Sequence, residues 1–113
     1  MQHTMKLKQP YFDLIKTKIK TYEIRLFDEK RQKIQVGDEI VFEKDSNDGE
    51  VLHTFVVDLL KFSNFSTMLE TLDFNKIGFG GKTKEEIEKT YHEFYSKDEE
   101  QKFGVLAIKV QVI

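Results

Sequence analysis

Three side chains in the stretch Lys20-Thr21-Tyr22-Glu23-Ile24-Arg25-Leu26-Phe27 have the types and spacing to do chemistry. On a strand, side chains alternate, so Thr21, Glu23, Arg25 and Phe27 share one side while Tyr22, Ile24 and Leu26 face a core. Glu23 and Arg25 then lie about 6.5–7 Å apart along one face. Lys20 enters at the mouth of that strand. An ammonium and a guanidinium donate to phosphate or to the edge of a base. A carboxylate between them accepts from an exocyclic amine or holds Arg25 in place. A desolvated Lys20 could instead act as a general base. The plain alternative is a solvated face carrying a surface ion pair, usually worth under about 1 kcal/mol.

The rest of the chain must position that stretch. Its 113 residues suit one domain, 1–113, and 39% hydrophobic residues with ten Phe and four Tyr supply a real core. His3–Lys8 reads as a short strand. Pro10 suits the first turn of a short helix over 10–17, with Phe12, Leu14 and Ile15 on one side. Residues 28–39 are a polar connection ending in the turn signal Gly37-Asp38. A strand at 38–44 follows, and Asp45-Ser46-Asn47-Asp48-Gly49 signals a hairpin turn.

The strand at 51–61 carries Val51, Phe55, Val57 and Leu59 on one side and Leu52, Val56 and Leu60 on the other, as a central strand would. Phe62–Leu72 reads as a helix with Ser63 as candidate N-cap and Phe65, Met68, Leu69 and Leu72 as its apolar stripe. The Gly-rich run 74–82 lacks the first Gly and the spacing of a phosphate loop and reads as a mobile lid or plain loop. Thr83-Lys84-Glu85-Glu86 is a capping box opening a helix over 84–95 with Ile87, Tyr91, Phe94 and Tyr95 on one face. Ser96–Lys102 reads as a charged connection. Phe103–Ile113 closes the chain as a strand with Leu106, Ile108, Val110 and Val112 inward. The expected class is α+β, about five strands with about three helices outside them.

Charge and composition narrow the function. A formal net charge of −2 excludes a bulk polyanion binder. Residues 16–33 nevertheless hold seven Lys/Arg against three Asp/Glu, a local excess of +4, while 84–102 hold four Lys against seven acids, an excess of −3. That dipole places Lys18 and Arg31 beside Lys20 and Arg25 as candidate contacts for a phosphate-bearing ligand. The absence of Cys removes disulfides and thiolate sites and fits a cytoplasmic protein. No apolar run approaches a membrane span, and no signal-peptide core precedes Lys6. His3, His53 and His92 have no ligand spacing, so neither a metal nor a cofactor is expected. The acidic helix is a conceivable protein contact without specific support.

Lys20-x-x-Glu23-x-Arg25 resembles the core of the Gly-x-Lys-x-x-Glu-x-Arg signature of the ASCH domain, and the chain resembles small single-domain bacterial members. Val36-Gly37-Asp38-x-Ile40-x-Phe42, Phe65 and Phe103-Gly104-Val105-Leu106-Ala107-Ile108 fit the same family. Lys18 stands where the signature has Gly, a residue that eases a turn with φ > 0. The resemblance implies a PUA-like fold, a curved mixed β-barrel of about five to six strands with about three flanking helices and a cleft beside Lys20, Glu23 and Arg25. It implies RNA or a nucleotide or modified base as partner. It also implies an alternative, a small hydrolase acting on acylated cytidine or a ribonuclease, with Lys20 and Glu23 as its catalytic candidates. In the amidohydrolase pattern a Thr stands at the position of Glu23 and a later carboxylate falls within 78–82; this sequence has neither.

Overall fold

The structure, a computed structural model, describes residues 1–46 and 48–113. In chain order its elements are β1 (Gln2–Leu7), α1 (Gln9–Lys16), β2 (Tyr22–Leu26), a 3-10 turn (Arg31–Lys33), β3 (Glu39–Lys44), β4 (Val51–Phe62), α2 (Phe65–Thr71), α3 (Lys84–Phe94), α4 (Lys97–Phe103) and β5 (Val105–Val112). The five strands form one sheet in the order β1-β3-β4-β5-β2. Among the described residues only β1 and β3 pair in parallel; the other three pairings are antiparallel. The sheet curls into a half-barrel, so its two edge strands, β1 and β2, approach each other. This is the α+β curved barrel expected from the sequence, with four helices among the described residues where about three were expected.

Two apolar clusters pack on the two faces. One gathers Phe12 and Ile15 of α1 with Met5, Ile40, Phe42, Val56 and Ile108. The other gathers Phe65, Met68 and Leu69 of α2 with Ile24, Leu26, Ile77 and Ile87. Leu106, Ile108 and Val110 of β5 join the first cluster, and Val105 and Ala107 join the second. The start of β5 is thus buried on both faces, as alternation under two layers requires.

β4 departs from simple alternation. Its register with β5 shifts between Val56 and Asp58. One extra residue in a strand inverts the side-chain phase beyond it. Leu59 therefore joins Leu52 and Val56 against the first cluster, while Leu60 and Phe62 turn to the second. The sequence placed Leu59 with Val51, Phe55 and Val57; the bulge moves it to the opposite side.

Two helix boundaries also differ from expectation. Phe62 ends β4, and α2 begins at Phe65 with Asn64, not Ser63, as its cap, accepting from Thr67 N at 2.8 Å. The charged connection after residue 95 is the helix α4, opened by a Ser96–Glu99 capping box. The Thr83–Glu86 capping box of α3 stands as read. The turn expected at 45–49 includes Asn47, which lies outside the described residues; around it, Glu50 N donates to Asp48 Oδ1 at 2.9 Å. Among the described residues no helix is long and apolar enough to cross a membrane. Nor does any group of three or more His, Cys, Asp or Glu among them suit a metal ion.

Candidate functional site

The cleft begins with the turn that delivers β2. Beyond α1, Lys18 N donates to Ile15 O, and Ile19 N and Lys20 N both donate to Leu14 O. This turn puts Lys18 at φ +69, the left-handed region that costs an L-residue about 1–2 kcal/mol. Thr21 N and Tyr22 N then both donate to Lys76 O. The Gly-rich run is thereby pinned across the start of β2, and Ile77 within it is fully buried. Of the two readings of this run, a mobile lid or a plain loop, the structure has a loop, anchored to the start of β2. Gly78, at φ +91, passes directly over Lys20: a Cβ there would stand 3.0 Å from Lys20 Cδ. Only a glycine suits both the backbone and the approach.

Lys20, Glu23 and Arg25 meet. Lys20 Nζ lies 3.1 Å from Glu23 Oε1, and Arg25 Nε lies 2.7 Å from Glu23 Oε2. Lys20 Nζ also donates to Ile77 O at 3.2 Å, and Arg25 Nη2 donates to Lys6 O at 3.0 Å. Lys20 and Glu23 are each only 4% exposed. Burial alone would raise the Glu23 carboxyl, but the Lys20 ammonium and the Arg25 guanidinium outweigh it and hold it below the usual carboxylate value. Burial would weaken the Arg25 charge, and Glu23 reverses this, so its pKa is raised. The solvated surface pair is thus replaced by a desolvated cation–anion–cation array. The Arg25 bond to Lys6 spans the gap between the sheet's two edges.

A cavity of about 380 Å³ opens in that gap. Tyr11, Phe79, Tyr91, Phe94 and Tyr95 wall it, with Lys20, Glu23 and Arg25 on the β2 side and Lys6 and Lys8 on the β1 side. Lys8 Nζ stands 5.0 Å over the Phe94 ring, and Lys20 Nζ 5.1 Å from that of Tyr11. Behind the wall, Phe65 stacks on Tyr91 at 4.5 Å. The volume is within the range of small-molecule sites.

The other two charge-based candidates lie elsewhere. Lys18 lines a separate cavity of about 260 Å³ with Thr21 and Gln111, on the far side of the Lys20 stem. Arg31 pairs with Asp28 at 3.0 Å in the 3-10 turn and does not line the main cavity. Sequence reasoning passed over Lys6, on β1, and Lys8, at the N-cap of α1, because they lie apart in sequence from Lys20. Tyr91, Phe94 and Tyr95 were visible as one face of the helix over 84–95 but were given no place at the site, and Phe94 is more than half exposed.

The ASCH domain family profile matches residues 5–113. This chain belongs to the ASCH domain family. The family is associated with RNA and nucleic acid in general. The chain is 38% identical to the hypothetical protein PH0355, whose crystal structure superposes with a TM-score of 0.89 over 100% of both chains. It is 33% identical to protein PF0455 from Pyrococcus furiosus, solved by NMR, with a TM-score of 0.79 over 100% of this chain and 98% of that one. An ASCH domain from Lactobacillus crispatus shares the fold at 15% identity and a TM-score of 0.63, over 97% of this chain and 79% of that one. No curated protein matches the sequence. Lys20, Glu23 and Arg25, which resemble the Lys, Glu and Arg of the signature, line one cavity, and Lys18, which stands where the signature has Gly, has the positive φ that a glycine would accept without strain.

Proposed function

We propose that this ASCH domain binds RNA through a single nucleotide unit held in the cleft between β1 and β2. The observation that carries the reading is the buried Lys20–Glu23–Arg25 array set in an aromatic-walled cavity. A base enters among Tyr11, Phe79 and Tyr95, since aromatic rings stack on any base. Lys20 and Arg25 each keep N–H donors beyond those Glu23, Ile77 and Lys6 accept, and these meet base-edge or phosphate oxygens. Glu23 orients both cations. Lys6 and Lys8 take the backbone phosphate at the rim. Lys18 and Arg31 contribute charge around the cleft rather than contact within it.

Binding of a short labelled RNA, followed by fluorescence anisotropy across a salt series, tests this. Lys8→Ala is expected to weaken binding and reduce the slope of log affinity against log salt by about 0.7, one phosphate's share. Identical slopes for wild type and variant would remove the rim contact from the model of binding. The hydrolase alternative is tested separately with acylated cytidine: Lys20-dependent release of the free acid would displace the binding reading.

A further inference from the structure

The two sides of the cleft's mouth differ in charge. Lys6 of β1 and Lys8 at the start of α1 line one side, with Asp45 beside them. Two ammoniums against one carboxylate leave that side a surplus of one positive charge. The facing side is built from Thr90, Tyr91 and Phe94 of α3 and from Tyr95, its C-cap. Among the described residues no Lys or Arg of α3 lines the cavity. The helix itself carries Lys84 and Lys89 against Glu85, Glu86, Glu88 and Glu93, a net −2. Glu93 stands near the opening: after burial and the Glu23 charge, its own charge helps to raise the Tyr11 phenol.

The cavity is also ringed. Lys8 Nζ reaches across to within 5.0 Å of the Phe94 ring centroid. Tyr11 meets Phe79 at 5.6 Å, and Phe79 meets Tyr91 at 5.5 Å. These links join α1, the 74–82 loop and α3 around the space, and the Arg25 bond to Lys6 O closes it between β2 and β1. A nucleotide inside an RNA strand carries a phosphodiester on each side of its sugar, each with one negative charge. Both must leave by the same mouth. One settles against Lys6 and Lys8. The other passes over α3, where Glu93 repels it, and like charges brought together at an interface oppose binding. A nucleotide at a strand end has a linking phosphate on one side and a hydroxyl on the other. The hydroxyl meets no repulsion from a carboxylate and can donate to it.

We infer that the cleft selects the hydroxyl-bearing terminal nucleotide of an RNA strand over an internal one, with the linking phosphate on Lys6 and Lys8 and the free hydroxyl toward Glu93. This rests on the reading of the cleft as a nucleotide site and adds which nucleotide of the strand it takes. A 3′ end and a 5′ end share this chemistry, and the experiment separates them.

One internally labelled single-stranded RNA in four forms tests it by fluorescence anisotropy at low salt, where charge effects are least screened. The forms have hydroxyls at both ends, a phosphate on the 5′ end, a phosphate on the 3′ end, or the ends joined in a circle. The hydroxyl-ended form is expected to bind about tenfold more tightly than the circle. A phosphate on the bound end is expected to cost about tenfold as well, and one on the other end less than about twofold, which names the end. Glu93 is exposed, so Glu93→Lys should leave the melting temperature close to that of wild type. This variant is expected to narrow the gap between circle and hydroxyl-ended form to under about threefold. Equal binding of those two forms by wild type overturns the inference, and so does a Glu93→Lys variant that raises every form equally and keeps the gap. If Lys8→Ala still lowers the salt slope for every form, the nucleotide site stands without the end preference. Failure to bind any form overturns the site reading as well.

Discussion

Glu23 and Asp38 each sit between two basic groups, and they differ in almost everything that follows. Glu23 lies between Lys20 and Arg25, sealed from water at the foot of the cleft. Asp38 lies at the head of β3, with His3 Nε2 at 2.8 Å and the amino group of Met1 at 3.3 Å. It also accepts from Gln35 N at 3.0 Å. Glu23 is held by the ammonium and the guanidinium of two residues on its own stretch of chain. Asp38 has two titratable partners, one of them on an exposed terminus. The first is a fixed polar feature around which a ligand site can be built. The second is a clip that ties the beginning of β1 to the turn before β3. The lesson is that a charge triplet read from sequence carries no meaning until burial and partner type are known, because the dielectric and the permanence of the charges decide its strength.

The comparison breaks most visibly at Glu23. Replacing it by Ala leaves Lys20 buried beside the Ile77 carbonyl with no counter-charge. The expected cost is about 3–5 kcal/mol of unfolding free energy, read from urea denaturation. A loss under about 1 kcal/mol would mean that the array behaves like a surface pair after all. Arg25→Ala should cost less, since Lys20 still compensates Glu23. It should nevertheless lower stability measurably, unlike removal of an exposed arginine.

The turn that supplies Lys20 gives a smaller effect of opposite sign. Lys18→Gly relieves the left-handed backbone at φ +69 and should stabilise the fold by up to about 1 kcal/mol, offset in part by the greater freedom of glycine in the unfolded chain. Lys18 does not line the main cavity, so nucleotide affinity should hold. A fall in melting temperature would show that the lysine side chain, not the backbone, matters at that position.

The acid response of Asp38 is the finest test. The His3 hydrogen bond, the Gln35 amide and the terminal amine together depress its pKa from the usual 3.8 to about 2. A carboxyl with a depressed folded-state pKa contributes stability that is complete above its unfolded value and disappears as pH falls through the folded one. The gap in melting temperature between wild type and Asp38→Asn should therefore be complete just above about pH 4, shrink between pH 4 and 2, and vanish below. A gap that persists unchanged at pH 2 would assign Asp38 a role independent of its charge.

Much of this was legible from the chain. Alternation in residues 22–26, 39–44 and 105–112 places those strands, because one side of each must meet a core and the period of two is strict. Thr83 and Glu86 mark the start of α3 through local capping that needs no tertiary contact. The same signal at Ser96 and Glu99 marks α4, but its composition, Lys97-Asp98-Glu99-Glu100-Gln101-Lys102, hides it behind a lack of apolar period. Its only buried polar side chain, Glu100, accepts from Phe65 N and pairs with His92, contacts that exist only after folding.

The sequence by itself determined the identity and facing of Lys20, Glu23 and Arg25, since their spacing on one strand is a local fact. It also determined the alternating strands and the capped helix that frame them. The tertiary structure alone decided that the three groups are buried and coupled, because the covering loop 74–82 reaches them from more than fifty residues away, as the Lys20–Ile77 bond records. It alone decided that the cleft's aromatic and cationic walls come from β1, α1, α3 and that loop rather than from the basic run around Lys18 and Arg31. It alone decided which side Leu59 faces, through a bulge that leaves no mark in composition. Burial, long-range electrostatics and strand register depend on what lies across space. A pattern along the chain reports only what lies next in line.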